Sequence, residues 1–290
     1  MITEAQCDEA SPRGYWKASM ELSRHLERVW RADLNRLKKI ELLFEPNDDA
    51  WFAAMHGAIL WPPSKQGFKI YLNPAARGRE LAPSLTEMAL SSMGLSASWG
   101  TLNSQLGSDG ILQCLGLDLT PDASARVKVY VRFRSPIITN LLKTMEEVDP
   151  ELASHLERFA AAVFGPGIYR LPRPALVAYT LREGSSKPVR VICQFASFPF
   201  AGTDLEISER LTRFMSEHGL PTQQYPLAIA AMNDAFDCSD KGIQNYFSLQ
   251  RDDAGLRVTA YLCPRIYLRR YGAIGYDPQV AWPSPVSQRA

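Results

Sequence analysis

Cationic and phenolic side chains alternate with aliphatic ones along several short segments of this sequence. In 126–133 (RVKVYVRF), Arg126, Lys128, Tyr130 and Arg132 share one face of a strand, because side chains two residues apart point the same way. The other face is Val127, Val129, Val131 and Phe133. The same combination recurs in three further pairs: Lys69 with Tyr71, Arg257 with Tyr261, and Gln244 with Tyr246.

Such faces suit a ligand that joins a polyanion to a developing carbocation. Lysine and arginine neutralise a pyrophosphate group, and a tyrosine ring stabilises a cation over its face by about 0.5–2 kcal/mol. A prenyl pyrophosphate presents both features. Taken alone, each strand is more simply explained as part of an ordinary sheet whose polar face lies in solvent. The two interpretations differ in whether the polar face is buried.

Hairpins and helices alternate around these segments. Turn residues join 111–120 to 126–133, 175–183 to 189–197, and 243–251 to 256–263, and 68–73 has the same alternation. Helical periodicity predicts helices over 81–93, 137–148, 151–164, 204–218 and 225–236. The segments 20–29 and 38–45 could form a first hairpin. The region 15–37 could equally be one amphipathic helix. The segment 49–61 is either a strand or a short helix.

The order of elements predicts an α+β protein, because antiparallel hairpins lie between helices instead of single strands alternating with them. Enough hairpins side by side would close an antiparallel barrel and remove exposed sheet edges. We expect one domain over 1–290, with flexible tails at 1–14 and 277–290. The 290 residues, 46% hydrophobic and 22% charged, are typical of a folded protein.

Composition excludes several functional classes. The net charge of +1 does not favour nucleic acid. Five scattered cysteines and no signal peptide predict a reduced, cytoplasmic protein without disulfides, and no apolar run approaches the ~18 residues of a membrane span. The histidines lack metal-ligand spacing, and neither Asp48-Asp49 nor Asp252-Asp253 continues as DDxxD, the motif of metal-dependent prenyl synthases.

Three segments resemble the bacterial relatives of dimethylallyltryptophan synthase, a family of aromatic prenyltransferases of the αββα type. They are 69–79 (KIYLNPAARGR), 115–133 (LGLDLTPDASARVKVYVRF) and 242–264 (GIQNYFSLQRDDAGLRVTAYLCP). The resemblance extends roughly from Glu21 to Tyr267. It implies an antiparallel barrel of about ten strands ringed by helices, which holds prenyl pyrophosphate and aromatic acceptor together.

The resemblance also implies roles for individual residues. Pyrophosphate is held by Lys69, Arg126, Lys128, Gln194 and Arg257. The allyl cation is shielded by Tyr71, Tyr130, Tyr246 and Tyr261. Glu21 orients the acceptor, and His56 is a second catalytic candidate as a proton relay, although a packed or surface histidine is the simpler interpretation. The sequence departs from the family at Glu41, where an arginine is usual and Lys38 or Lys39 would substitute, at Ala196, where a tyrosine is usual, and in the short loop 46–49.

The expected function is transfer of a dimethylallyl or longer prenyl group from its pyrophosphate to an indole or tryptophan-like acceptor in secondary metabolism, without a metal or other cofactor. The expected partners are these two small molecules, not nucleic acid or a membrane, and the protein is a monomer or homodimer. Two alternatives stay open: a barrel that binds an aromatic or isoprenoid ligand without chemistry, and an interaction protein with basic strand faces. The acceptor, the ring position and the donor length do not follow from the sequence.

Overall fold

A computed structural model of the protein describes residues 2–8, 11–59, 67–107, 109–121, 125–134, 136–197, 201–233 and 243–262. The predicted carboxy-terminal tail, Cys238, Cys263 and the turn at 122–124 lie outside them. Within the described residues, nine strands form: β1 Ile2–Glu4, β2 Ala54–Ile59, β3 Gly67–Leu72, β4 Gly110–Asp118, β5 Val127–Phe133, β6 Ala175–Leu181, β7 Arg190–Ala196, β8 Gln244–Asp252 and β9 Gly255–Leu262.

Eight α-helices are described. They are α1 Pro12–Trp30, α2 Asn35–Ile40, α3 Ala82–Ser92, α4 Trp99–Leu106, α5 Ile138–Glu146, α6 Pro150–Phe164, α7 Asp204–Glu217 and α8 Gln224–Asn233. The predicted α+β class and its antiparallel hairpins are confirmed. The expected closed barrel of about ten strands stays a prediction.

The first of two compact units contains Met1–Arg134, Lys143–Pro150 and Ala175–Cys193. Its strands β1 to β6 lie in chain order and pair antiparallel, and β7 begins beside β6. The aliphatic face of β3 to β6 is almost completely buried, with Ile70, Leu115, Val129 and Val177 at 0% exposure. This face is the hydrophobic core, so the cationic and phenolic side chains occupy the opposite face of the same strands.

Helix α1 decides the open question at the amino terminus. Ser11 caps the helix by accepting a hydrogen bond from Gly14 N at 3.0 Å, and Pro12 occupies its first turn. Its buried residues recur every three or four positions (Trp16, Ser19, Met20, Ser23, Leu26), which is a helical period. The hairpin alternative for 20–29 and 38–45 is wrong, since 38–45 continues as α2 and a 3₁₀ turn at Glu41–Phe44.

Two other details differ from expectation. Residues 1–14 were expected to form a tail, but β1 pairs with Met55–Gly57 of β2, and α1 begins at Pro12. The family comparison at Glu41 assumed a strand, whereas Glu41 lies in the 3₁₀ turn and Lys38 pairs with Glu27 at 2.6 Å. Neither lysine 38 nor 39 is therefore presented by a strand in place of the missing arginine.

The second unit comprises the described residues of Ser135–Leu142, Glu151–Pro174 and Gln194–Ala290. The end of β7 is followed by β8 and β9, which form an antiparallel hairpin. Helix α7 begins with a capping box between Thr203 and Glu206. The buried Asp204 carboxylate then accepts hydrogen bonds from Ile243 N and Gln244 N, both at 3.0 Å, and so fixes the start of β8.

Candidate active site

Strand register places the predicted pyrophosphate and shielding residues of the first unit side by side. On β3, Lys69 lies opposite Asp118 of β4, and Tyr71 lies opposite Gly116. Gly116 in turn lies opposite Lys128 of β5. Because paired residues in antiparallel strands point to the same face, one patch collects two cations, a carboxylate and a tyrosine. Two separate hairpins, β2–β3 and β4–β5, contribute to it.

Asp118 is the centre of this patch. Its Oδ1 lies 3.4 Å from Lys69 Nζ, and its Oδ2 accepts a hydrogen bond from Arg126 Nε at 2.7 Å. Exposed fractions of the Asp118 and Lys69 side chains are only 13% and 19%, while Arg126 retains 36%. We call Lys69, Arg126 and Lys128, gathered around Asp118, the basic cluster. Its burial contradicts the alternative of a polar face in open solvent.

The charges of the basic cluster are strongly coupled. Burial alone would raise the pKa of Asp118, but Lys69 and Arg126 hold that pKa below its ordinary value. Burial also lowers the pKa of Lys69, and the nearby Asp118 carboxylate opposes that shift. Asp118 is therefore ionised near neutral pH and offsets one of the three positive charges.

Lys128 is the cation that Asp118 does not pair. Among the described residues it forms no ion pair or hydrogen bond, and burial, followed by the charges of Arg126 and Lys69, lowers its pKa to about 7. Opposite it on β6, Thr180 is 5% exposed, and its hydroxyl has no hydrogen-bond partner among the described residues. A partly buried ammonium beside an unused hydroxyl is suited to an anionic ligand.

Two tyrosines lie next to the basic cluster. Tyr71 and Tyr130 have ring centroids 5.8 Å apart at an interplanar angle of 68°. They pack with the buried Phe52, Cys114 and Ile192. The arrangement gives an apolar, π-rich wall beside a cationic patch, which is what ionisation of an allylic pyrophosphate requires. The relative placement of Lys69, Tyr71, Arg126, Lys128 and Tyr130 therefore agrees with the sequence prediction.

The predicted residues of the second unit form a separate group on β7 to β9. Tyr246 lies directly opposite Tyr261 in the β8–β9 register, and Gln194 Nε2 donates a hydrogen bond to Tyr261 Oη at 3.2 Å. Arg257 has an exposed fraction of 62% and lies 4.0 Å from Asp252 across the hairpin. Their roles in binding and shielding stay predictions.

Gln244 does not act as the sequence alternation suggested. Its Nε2 donates to Asp204 O at 2.6 Å, and its Oε1 accepts a hydrogen bond from the Tyr225 hydroxyl. A register shift between Gln244 and Tyr246 breaks the two-residue period at this point. Gln244 is a fully bonded structural residue at 1% exposure, not part of a shared face with Tyr246.

His56 lies on the opposite face of β2 from the residues that border the basic cluster. It pairs with Ile70 of the core face, whereas Gly57 pairs with Lys69. The Ser23 hydroxyl donates to Ser19 O at 3.0 Å, so its oxygen accepts from His56 Nε2 at 2.9 Å. Burial lowers the pKa of His56 to about 4. The histidine is thus neutral and packed, and its position gives no support to a proton relay.

Glu21 is not brought to the basic cluster. Helix α1 reaches β2 through Ser19, which donates to Ala54 O at 3.4 Å, and through Ser23. Glu21 lies midway between these two serines, which puts it on the opposite side of the helix, and it is exposed. Its predicted role in orienting the acceptor has no support from this position.

Sequence reasoning missed Asp118 and Thr180. It also missed Gly57 and Gly116, which pair with Lys69 and Lys128 of the basic cluster. Asp118 was visible as the single acidic residue in LGLDL, on the strand that the hairpin turn pairs with Arg126. Counting outward from the turn would have placed it among the cations. Thr180 carried no comparable signal, because it lies within an otherwise hydrophobic strand (ALVAYTL).

No group of three or more His, Cys, Asp or Glu residues in the described part of the chain is arranged to hold a metal ion. None of the described helices has the length and hydropathy of a membrane span.

Solved structures that are similar to this chain are named as dimethylallyltryptophan synthases or prenyltransferases. The 6-dimethylallyltryptophan synthase from Micromonospora olivasterospora, in complex with DMASPP and Trp, superposes with a TM-score of 0.83 at 26% identity, covering 92% of this chain and 77% of that one. The 5-dimethylallyltryptophan synthase from Streptomyces coelicolor, also in complex with DMASPP and Trp, gives 0.80 at 24%, covering 90% and 73%.

A third similar structure is the prenyltransferase PriB in a ternary complex with L-tryptophan and dimethylallyl thiolodiphosphate. Its TM-score is 0.77 at 23% identity, covering 89% of this chain and 73% of PriB. No protein-family model matches the sequence. The predicted resemblance is nevertheless confirmed by structure: this chain has the fold of the bacterial dimethylallyltryptophan synthases, the indole prenyltransferases of the αββα type.

Proposed function

We propose that this protein is an aromatic prenyltransferase that moves a dimethylallyl group from its diphosphate to an indole acceptor such as tryptophan. The observation that carries this proposal is the position of Lys128, a partly buried cation without an ion-pair partner among the described residues, beside the Tyr71–Tyr130 wall. The two ligands bound by the similar dimethylallyltryptophan synthases, DMASPP and Trp, match the two chemistries of this patch.

The basic cluster drives the first step. The allylic C–O bond breaks, and its electron pair leaves on the diphosphate oxygen, where Lys128, Lys69 and Arg126 stabilise the developing negative charge. The positive charge spreads over the allyl carbons beside the Tyr71 and Tyr130 rings, which exclude water from it. An indole carbon then attacks, a C–C bond forms, and a base takes the ring proton, whose bonding electrons restore aromaticity.

Several finer statements belong to this proposal. We propose that the reaction needs no metal, because the basic cluster supplies positive charge where a Mg²⁺ ion would otherwise be needed. We also retain a closed barrel of about ten strands, a single functional domain, and secondary metabolism as the setting. A reduced, cytoplasmic location is a further hypothesis, with which the free thiols of Cys114 and Cys193 are consistent. A longer prenyl donor and a homodimer are further hypotheses.

The test is turnover with defined substrates. Purified protein is incubated with dimethylallyl diphosphate and a panel of tryptophan, other indoles and phenols, in EDTA, and products are identified by mass spectrometry. A prenylated indole supports the proposal. Activity that disappears in EDTA and returns with Mg²⁺ would overturn metal independence alone. Binding of both ligands without product would identify a ligand-binding protein instead.

A matched pair of variants tests the diphosphate site. Lys69→Ala removes a cation from the basic cluster, whereas Lys187→Ala removes an exposed lysine in the turn between β6 and β7. Calorimetry with inorganic pyrophosphate should show weaker binding for Lys69→Ala and unchanged binding for Lys187→Ala. Equal affinities in both variants would contradict the assignment of this patch to the diphosphate.

A further inference from the structure

Two glycines lie directly beneath the tyrosine pair. Gly57 on β2 and Gly116 on β4 belong to the strands on either side of β3, which carries Tyr71. Neither glycine has a positive φ angle, so backbone conformation does not require glycine at these positions. The reason for glycine at these positions is therefore the absence of a side chain, which lets another group approach the backbone closely.

The group that approaches is aromatic at both positions. A Cβ atom on Gly116 would lie 3.1 Å from Tyr130 Cε2 and 3.3 Å from Tyr71 Cδ1 and Cε1. A Cβ atom on Gly57 would lie 3.2 Å from Tyr71 Cε2 and 3.6 Å from its hydroxyl. Carbon atoms at ordinary contact are about 3.5–4.0 Å apart. The two rings therefore rest in space that any other residue would fill.

A third glycine provides the contrast. Gly67, at the start of β3 in the same sheet, also lacks a positive φ angle. Among the residues that the structure describes, a Cβ atom there would meet only Thr120 Cγ2, at 3.8 Å. Alanine fits at Gly67 without displacing a neighbour, so the close fit is particular to the glycines under Tyr71 and Tyr130.

We propose that Gly57 and Gly116 are specificity-determining residues, which set how deep a prenyl chain lies against the Tyr71–Tyr130 wall. This inference rests on the proposed function. A methyl group at Gly116 would push both rings away from the sheet, toward the side on which Lys69 and Lys128 project. Since the cations hold the diphosphate end, the lost space falls on the prenyl end of the donor, and a longer donor loses more.

Gly116→Ala is compared with wild type and with Gly67→Ala by calorimetry, using inorganic pyrophosphate, dimethylallyl diphosphate and geranyl diphosphate. One misfitted methylene in an apolar pocket changes discrimination by about 10-fold or more. Gly116→Ala should weaken geranyl diphosphate binding by about tenfold and dimethylallyl diphosphate by less, and leave pyrophosphate unchanged. A general disturbance of the sheet would weaken all three ligands equally.

The outcomes separate the two proposals. Wild-type protein that binds no prenyl diphosphate refutes the proposed function. Wild-type binding together with identical ligand profiles for Gly116→Ala and Gly67→Ala refutes the role of the glycines alone. Should Gly116→Ala fail to fold, Gly57→Ala is the second variant: its Cβ atom would press on Tyr71 but not on Tyr130, and would meet Lys69 Cβ at an ordinary 3.7 Å, so it should show a smaller change of the same sign. Adding Tyr71→Leu to Gly57→Ala removes the one displaced ring and should restore geranyl diphosphate binding.

Discussion

Two tyrosine pairs, both predicted from sequence to shield a cation, have very different surroundings. Tyr71 and Tyr130 lie over glycines, pack with buried apolar residues and border three cations, two of which share the Asp118 carboxylate. Tyr246 and Tyr261 face each other across the β8–β9 hairpin, and Tyr261 is 39% exposed. Similar alternation in sequence has produced one tightly constrained group and one loosely constrained group.

The two regions differ in whether their charges are held in fixed positions before a ligand binds. In the basic cluster, register, burial and the shared Asp118 hold the charges in place before any ligand arrives, and fixed charges stabilise a transition state without reorganisation. Arg257 is largely exposed and lies 4.0 Å from Asp252, a pairing of little energetic consequence. We therefore expect substitutions in the basic cluster to matter far more than equivalent changes on β9.

The largest effect is expected from Lys128→Met, which keeps the side-chain length but removes the charge. Losing one preorganised group that stabilises developing charge costs about 10²–10³-fold in rate, or about 2.7–4 kcal/mol. We expect a fall of about 10²-fold in kcat/KM for dimethylallyl diphosphate. The melting temperature should be no lower than that of wild type, because methionine lacks the burial penalty that lowers the pKa of Lys128. Steady-state kinetics and a thermal melt measure both quantities. An activity loss below tenfold would remove Lys128 from its assigned role.

Asp118→Asn should affect stability next most strongly. The substitution leaves Lys69 and Arg126 without their carboxylate, and removal of one partner from a mostly buried ion pair costs about 2–3 kcal/mol. Pyrophosphate should then stabilise the variant more than it stabilises wild type, since the anion replaces the missing negative charge. Denaturant unfolding with and without pyrophosphate measures both effects.

The matched control is Asp252→Asn on β8, because Asp252 is the carboxylate nearest to Arg257. Asparagine keeps an oxygen that accepts the hydrogen bond from Ala254 N. We expect a stability change within about 0.5 kcal/mol and no altered response to pyrophosphate. Equal losses from Asp118→Asn and Asp252→Asn would end the distinction between the two regions.

Much of this fold was predictable from local patterns. The helices α3, α5, α6 and α7 lie within one or two residues of their predicted limits, because each has a clear apolar period and a stop signal such as Gly219 after α7. The amino terminus was ambiguous because 20–29 satisfies a strand period over a short window. Ser11 and Pro12 were the deciding cues, since together they begin a helix.

The site was predictable only where chemistry and alternation coincide. Lys69, Tyr71, Lys128 and Tyr130 share a face because their strands are regular. Gln244 leaves the shared face because a register shift interrupts the period. His56 lies on the core face of β2, whereas its neighbour Gly57 faces the basic cluster, so its position does not support the predicted proton relay. The roles of the glycines depend on contacts between four strands, β2 to β5, which no local pattern contains.

A pH titration of pyrophosphate binding should distinguish the basic cluster from the β8–β9 hairpin, with an effect of moderate size. The pKa of Lys128 is about 7, so its ammonium group loses charge as the pH rises through neutrality. Pyrophosphate binding should weaken across that range, by at most about tenfold per pH unit for one proton. Lys128→Arg stays charged and should remove this component when measured in the same buffers, which also controls for ionisation of the ligand.

The stability of the ligand-free protein should change in the opposite direction. The ordinary lysine pKa of 10.5 applies to the unfolded chain, so between about pH 7 and 10.5 the folded state binds fewer protons at Lys128 than the unfolded state does. The free energy of unfolding contributed by this residue therefore rises with pH over that window. Lys128→Met should lack the rise, and its persistence in that variant would assign it to another group.

The smallest effect is expected from Arg257→Met, the counterpart on β9 of Lys128→Met. Its exposed guanidinium lies at the limit of ion pairing with Asp252, and charges in such positions contribute about 0–1 kcal/mol. We expect less than about a threefold change in kcat/KM and no measurable change in pyrophosphate affinity at moderate salt. A loss as large as that of Lys128→Met would show that Arg257 becomes ordered and desolvated when substrate binds, so that burial in the ligand-free protein is a poor guide to electrostatic contribution on this hairpin.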